Sequence, residues 1–365
     1  MKPASYLASI GVALLLGCAA EEANAPTTAR VPSNASGNAA DRLIVMSQNM
    51  YVGADVDAIL AAILTGGDLA AVLTEQVQVL QNTEFALRAG ALADVLAKDR
   101  PDAVGLQEIS TIVIDIPALG LDYQVDFLPT LDSVLTARNL PYVVAGQVTN
   151  FTVSPTLPVP GTVSLTDKDV LLIDASRVTV AGPVTAKRFV ANLGTIAPGV
   201  TLKRGFVMVP LVVNGSPYLV ATTHLEDDLG ALDLSDLRMY QMQEIVGYAD
   251  GYGVPRAVIM GDLNDVEESS MYDEAAGAGF VDLWRALRPG TIGYTCCNDA
   301  DLANPRPDLN QRIDFIFARG FEGPPGRVMG QIDRVNFNPG DKVPGPAYPI
   351  WMSDHAGLVG TLLMP

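Results

Sequence analysis

Two histidines occur in 365 residues, and both stand among carboxylates. His224 closes the run Tyr218–His224 (YLVATTH) just before Glu226-Asp227, and His355 follows Asp354 in Ser353-Asp354-His355. Imidazole beside carboxylate is an arrangement that general acid–base catalysis uses, because the carboxylate fixes the ring's tautomer and orientation. A single histidine is more often structural, so the recurrence of the pattern matters. Four further polar clusters flank apolar runs: Asn49, Gln107-Glu108, Gly261-Asp262-Leu263-Asn264 and Arg312-Ile313-Asp314. All are oxygen- or nitrogen-bearing, and no zinc-type cysteine and histidine spacing accompanies them.

The runs that carry these clusters read as strands. Arg42–Asn49 (RLIVMSQN), Asp102–Glu108 (DAVGLQE), Tyr218–His224 and Ala257–Asp262 (AVIMGD) are short apolar segments that end in polar residues. Further strands are expected at 142–147, 170–174, 206–212, 313–318 and 356–363. Helical spacing occupies 56–98, broken by Gly66-Gly67 into two expected helices, and also 127–139 and 234–248. Strands and helices intermix with more strands than a plain βαβ alternation needs, which predicts an α/β domain with large mixed sheets. Polar side chains massed at strand ends predict one shared site at a sheet edge.

Composition bounds the rest. Hydrophobic residues make up 49% and charged residues 18%, a globular balance with ample length for a core. Against 23 basic residues stand 41 acidic ones, a net charge of −18. Nucleic-acid affinity rests on neutralising phosphates, so an extended nucleic-acid groove is disfavoured, and a monomer is expected. Residues 6–16 form an apolar stretch of signal-peptide length ending in Leu15-Leu16-Gly17-Cys18. This resembles a bacterial lipoprotein signal, with simple cleavage nearby as the alternative. Residues 1–17 are therefore expected to be removed, Cys18 to tether the protein to the membrane, and 18–40 to act as a flexible tether before a domain spanning 41–365. The expected location is extracytoplasmic, lipid-anchored or secreted. Cys296-Cys297 admits two readings, a vicinal disulfide or two buried thiols.

In order, SQN, LQE, THLE, GDLND, RIDFIF and SDH resemble the signature of the endonuclease/exonuclease/phosphatase superfamily, across residues 47–355. Its members include DNase I-like nucleases, abasic-site endonucleases, neutral sphingomyelinases and inositol polyphosphate 5-phosphatases. Each motif alone is weak, and six in order are specific. The resemblance implies a four-layer α/β/β/α sandwich of DNase I-like type and a metal-dependent phosphoesterase. It implies that Glu108 and Asn49, with Asp354 nearby, hold Mg²⁺ or Mn²⁺. It implies that Asp314 orients His355, that Asp262 orients or deprotonates the attacking water, and that Asn264 and His224 contact the phosphate. Whether Asp262 or His355 takes the proton stays open.

Other features carry less. Lys168, Lys187, Arg188, Lys203 and Arg204 are each either a phosphate donor or a solvated surface charge. Asp299 and Asp301 are either ligands of an additional Ca²⁺ or turn residues. The segment 319–352, with Trp351, reads equally as a lid or an inert loop. Substrates compatible with the site are a phosphodiester or phosphomonoester of small size, with a secreted nuclease or a sphingomyelinase/phospholipase C-like enzyme as alternatives. A catalytically silent binding protein on the same fold is the non-enzymatic alternative.

Overall fold

The computed structural model describes residues 42–157, 159–323 and 326–364. The expected signal peptide, Cys18 and the tether lie outside the described residues.

Two sheets form the centre. The larger has the order Gly330–Val335, Gly357–Leu363, Arg42–Asn49, Ala103–Gln107, Thr162–Asp174, Tyr142–Val153, Val200–Leu202, Gly194–Ala197, with the hairpin Thr111–Ile116/Leu121–Asp126 joined to Thr162–Asp174. The smaller runs Val281–Asp282, Asp314–Arg319, Ala257–Asp262, Ser216–His224, Gly205–Val213, Val178–Val180, with Thr185–Arg188 also on Gly205–Val213. Both mix parallel and antiparallel pairs: Arg42–Asn49 lies parallel to Ala103–Gln107 and antiparallel to Gly357–Leu363.

Period-two alternation assigns each strand face to a layer. Leu43, Val45, Leu171 and Ile173 of the larger sheet meet Val207, Val209, Val258, Met260 and Ile316 of the smaller one in a shared apolar interior. The opposite face of the larger sheet, with Met46, Val104, Leu106 and Val170, packs on helices α1 (Val56–Thr65), α2 (Leu69–Asn82), α3 (Phe85–Asp99) and α4 (Phe127–Ala137). The opposite face of the smaller sheet, with Ala221, Ile259, Phe315 and Phe317, packs on α5 (Ser235–Tyr252) and α6 (Ser270–Gly277). The result is the four-layer α/β/β/α sandwich.

Three helices, not two, fill residues 56–99. The unexpected break follows Asn82. Buried Thr83 ends α2 by donating through Oγ1 to Val79 O and Gly53 O, both at 3.0 Å, and Arg88 folds back to Thr83 O at 2.7 Å. The segment 319–352 is not a lid: Gly330–Val335 is an edge strand of the larger sheet, and short ribbons flank it. Trp351 is a core residue, fully buried with Tyr51, Leu302 and Ile350, its Nε1 donating to Asn304 O at 2.9 Å.

Candidate active site

The strand ends of both sheets meet at one edge. In the smaller sheet the register sets His224 opposite Asp262 and Asp262 opposite Asp314. The larger sheet brings Asn49 level with Gln107. The sheets touch directly here: Gln107 Nε2 donates to Thr222 Oγ1 at 2.8 Å, and a Cβ on Gly105 would stand 2.3 Å from that same oxygen. Glycine permits this closeness.

Just past the strand, Glu108 takes a left-handed φ of 58°, a conformation held only by strong local interactions. Glu108 Oε2 accepts from Val52 N at 2.6 Å and Oε1 from Asn49 Nδ2 at 2.9 Å. Asn49 also donates from Nδ2 to Asp262 Oδ2 at 2.9 Å, while its Oδ1 accepts from Tyr51 N at 2.8 Å. That last bond fixes the amide's orientation, so Asn49 bridges two carboxylates as a donor.

Asp262 Oδ2 lies 3.6 Å from His224 Nε2 and 3.7 Å from His355 Nε2. Burial, with the nearby charge of Asp314, pushes Asp262 up to about 7. His355 Nδ1 is 2.8 Å from Asp314 Oδ2, and its Nε2 is 4.0 Å from Asp354 Oδ1. Burial opposes a charged His355, but Asp314, Asp354 and Asp262 outweigh it and hold the ring well above its ordinary value. Burial, Arg204 and His355 push His224 the other way, well below. The 3.6 Å approach of His224 to Asp262 is therefore a neutral contact, not an ion pair. Asn264 Nδ2 lies 2.9 Å from His224 Nε2 and donates to Leu225 O at 3.0 Å, and Asn264 N donates to Asp262 Oδ1 at 3.0 Å. With Nδ2 the donor, Nε2 of His224 accepts and Nδ1 carries the proton.

Asp354 enters beside Glu108. Ser353 Oγ donates to Asn49 O at 2.6 Å, which ties the Ser353-Asp354-His355 turn to the strand end. Burial and then Asp354 raise Glu108, and burial raises Asp354. Two neighbouring carboxylates, each Glu108 oxygen accepting one hydrogen bond and keeping a lone pair, could hold a hard divalent cation.

All eight candidate residues from the strand ends thus converge. Two buried carboxylic residues stand outside the sequence reading: Asp167 and Asp169. Asp169 Oδ2 accepts from His224 N at 2.9 Å, and ligand atoms of Asp167, Asp169 and His224 lie within 4.8 Å of one another. Burial and then Glu108 push Asp167 up to about 7, and burial and then Asp167 hold Asp169 well above the ordinary carboxylate range. Arg204, one of five basic candidates, lines the cleft and pairs with Glu226 at 3.1 Å. Of the others, Lys168 donates to Thr111 Oγ1, Lys187 pairs with Glu244 and Arg188 donates to Thr149 O. Asp301 acts as a turn residue, accepting from Ala303 N at 2.9 Å.

The site opens into a cleft of about 440 Å³. Asp55 and Asp57 at the start of α1, with Glu226, Asp227 and Asp228, supply an acidic wall, and Leu60, Phe151, Leu193 and Leu202 an apolar one. Cys296 and Cys297 line it too, joined as a disulfide.

Comparison with known proteins bears on this arrangement. The family model described as "Endonuclease/Exonuclease/phosphatase family" matches residues 49–355. Among solved structures, an endonuclease/exonuclease/phosphatase from Beutenbergia cavernae DSM 12333 superposes with a TM-score of 0.54 at 20% identity, over 88% of this chain and 72% of that one. A mannosyl-6-phosphatase from Bacteroides thetaiotaomicron VPI-5482 gives 0.51 at 16% identity, over 88% and 100%. D. rerio TDP2 complexed with a single-strand DNA product gives 0.51 at 18%, over 88% and 98%. At these identities the likeness is one of fold. No curated protein matches the sequence.

Proposed function

Because this chain belongs to the endonuclease/exonuclease/phosphatase family, whose members are phosphoesterase hydrolases, we propose that it is a divalent-cation-dependent hydrolase of small phosphate esters, working outside the cytoplasm. The observation that carries this is the convergence of Asn49, His224 and His355 on Asp262, in a cleft whose wall is acidic.

Glu108, Asn49 and Asp354 would hold Mg²⁺ or Mn²⁺. When bound, the cation neutralises charge on the phosphate and stabilises the departing oxygen. The remaining work belongs to side chains. Asp262 is an acceptor-only carboxylate held in place by Asn49 and by Asn264 N, so it orients the attacking water and takes its proton. His355 is surrounded by Asp314, Asp262 and Asp354, which favour the imidazolium. Its free Nε2–H therefore donates to a phosphate oxygen and does not serve as the base. Asn264, with its amide hydrogens on His224 Nε2 and Leu225 O, holds the His224 ring in place beside the phosphate. His224, uncharged and anchored by Asp169 through its backbone, closes the phosphate side without adding a competing cation.

The cleft's size and charge support a compact substrate. Asp55, Asp57, Asp227 and Asp228 repel a polyanionic strand, while the apolar wall suits the organic part of a compact ester. The test is a panel of bis-p-nitrophenyl phosphate, sugar and inositol phosphates, sphingomyelin and duplex DNA, each with Mg²⁺ and with EDTA. Cation-dependent turnover of the small esters is expected. Faster cleavage of DNA overturns the substrate reading, and full activity after exhaustive chelation overturns the role of the cation. The location outside the cytoplasm rests on residues 1–17 and Cys18. Cys18→Ser is expected to move the protein from the membrane to the soluble fraction, and a wild-type protein already soluble removes the lipid anchor.

A further inference from the structure

The cysteine pair is held against His355 from both sides. Ala356 N donates to Thr295 O and Asn298 N donates to Asp354 O, each at 2.8 Å, so residues 295–298 run alongside 354–356. A second set of bonds fixes Cys296 from behind: Cys296 N donates to Gln311 O at 3.0 Å, and Gln311 N returns to Cys296 O at 2.9 Å. The consequence is a cluster in which ligand atoms of Cys296, Cys297 and His355 all lie within 4.8 Å of one another. Cys297 is exposed, so the cluster opens to solvent through the cleft. In His355 the Nδ1 edge is engaged by Asp314, which leaves Nε2 as the available donor.

Two sulfurs and one imidazole nitrogen form a donor set of the opposite character to Glu108, Asn49 and Asp354. Thiolate and imidazole select soft or borderline ions such as Zn²⁺ and Cd²⁺, and oxygen donors select hard ones. As a disulfide the sulfurs are poor ligands, because the thiolate is the form that binds metal. Reduction changes this. A dithiol reductant delivers two electrons and two protons to the Cys296–Cys297 bond and itself closes to a disulfide. Each thiol then releases its proton to solvent as its sulfur takes the metal, and His355 Nε2 gives its lone pair after releasing any proton it carries.

We propose that the reduced chain carries a second metal site, Cys296, Cys297 and His355, that takes a zinc-class ion and withdraws His355 from the phosphate. The disulfide keeps that site closed. Under oxidising conditions the enzyme ignores soft metals, and under reducing conditions it is inhibited by them. The binding half stands without any assumption about catalysis; the inhibition half rests on the phosphoesterase reading.

The experiment uses the full chain carrying Cys18→Ser, so that the adjacent pair supplies all the thiols. Cd²⁺ is titrated into oxidised and dithiol-reduced protein after removal of reductant. Binding is followed by the ultraviolet sulfur-to-cadmium charge-transfer band and by equilibrium dialysis. Hydrolysis of bis-p-nitrophenyl phosphate is followed in parallel with saturating Mg²⁺. One Cd²⁺ per reduced chain is expected, with affinity on the order of 10²-fold above that of the oxidised form. Hydrolysis should fall in step with the charge-transfer band. Cys297→Ser, at an exposed position, should weaken binding by roughly 10- to 100-fold, and so should His355→Ala. Alkylating the reduced pair in otherwise unaltered protein should abolish binding without any substitution. Equal binding to both redox forms overturns the proposal, as does binding that survives alkylation or is unchanged by His355→Ala. Tight binding by the reduced form with unaltered hydrolysis overturns the inhibitory role and leaves the phosphoesterase reading in place. A chain that binds Cd²⁺ as described but hydrolyses nothing counts against the phosphoesterase reading alone.

Discussion

Asp262 and Asp314 face each other across antiparallel strands, yet they address one imidazole from opposite edges. Asp314 Oδ2 lies 2.8 Å from His355 Nδ1, and Asp262 Oδ2 lies 3.7 Å from His355 Nε2. A single ladder position thus sets both the group that orients the ring and the group that shares the reacting space with it. Because Asp314 acts through His355, losing either breaks one unit, and the effects should be far from additive. His355→Ala should lower kcat by about 10²- to 10³-fold, the cost of removing one preorganised donor to the developing charge. Asp314→Asn should lose a large part of that, and the double variant should be little worse than His355→Ala alone. Multiplicative losses in a double-mutant cycle would sever the proposed pairing.

Asp167 offers a separate test through stability. Its carboxyl accepts from Ser110 Oγ at 3.0 Å and Asn150 Nδ2 at 3.2 Å, and burial pushes it from the ordinary 3.8 up to about 7. A raised acid favours the proton-bound folded state. Below pH 3.8 both states hold the proton, and this group costs nothing. Between 3.8 and about 7 the unfolded chain ionises first, so stability falls as pH rises, and above 7 the full penalty applies. Asp167→Asn removes the ionisation. Thermal unfolding at pH 8 should show a gain of about 1–2 kcal/mol, shared as the charge is with Asp169. Near pH 4 the gain should vanish. Equal shifts at both pH values would assign the effect to packing.

The strand-end polar residues were legible because strands here finish at the site: Asn49, Glu108, His224, Asp262 and Asn264 all sit on or just past the last residue of an apolar run. Asp167 and Asp169 lie inside a strand, not at its end. The strand was expected to begin at Val170, but it begins at Thr162, and TVSLTDKD alternates in a way that points Val163, Leu165, Asp167 and Asp169 inward. Polar residues on a buried strand face break the apolar signal that announces a strand. Trp351 misled in the other direction, since closeness in sequence to His355 says nothing about which side of the backbone faces the cleft. The place of Gly330–Val335 at the sheet edge depends on pairing with Gly357–Leu363, a contact that local pattern does not encode.

Gly105 should tolerate nothing larger. An added Cβ would also stand 2.8 Å from Thr222 Cβ, so the two sheets would have to part. Gly105→Ala is expected to cost about 1–3 kcal/mol as overpacking. It should also lower kcat, because Glu108 and His224 come three and two residues after the contacting Gly105 and Thr222. Calorimetry and initial rates on one preparation check both. An unchanged Tm would mean that the sheets have slack.

Arg204 and Glu226 form an enclosed ion pair bordering the cleft, with side chains 8% and 5% exposed and Nε 3.1 Å from Oε1. Arg204 also stands 5.4 Å from the Phe151 ring centroid, so it carries packing as well as charge. Glu226 N in turn donates to Gln241 Oε1 at 3.0 Å, which links the pair to α5. Arg204→Met keeps the stem and removes the charge, leaving the buried Glu226 carboxylate uncompensated. Such a break costs about 3–5 kcal/mol. Replacing both partners, as in Arg204→Met with Glu226→Leu, removes the stranded charge and should recover most of that loss. Activity separates structure from function. If Arg204 only balances Glu226, the double variant should regain kcat along with its Tm. If Arg204, together with burial, also keeps His224 neutral, the double variant should regain Tm but not kcat. A single variant with unchanged denaturant midpoint would show that solvent reaches the pair and that the charge is not buried in the working protein.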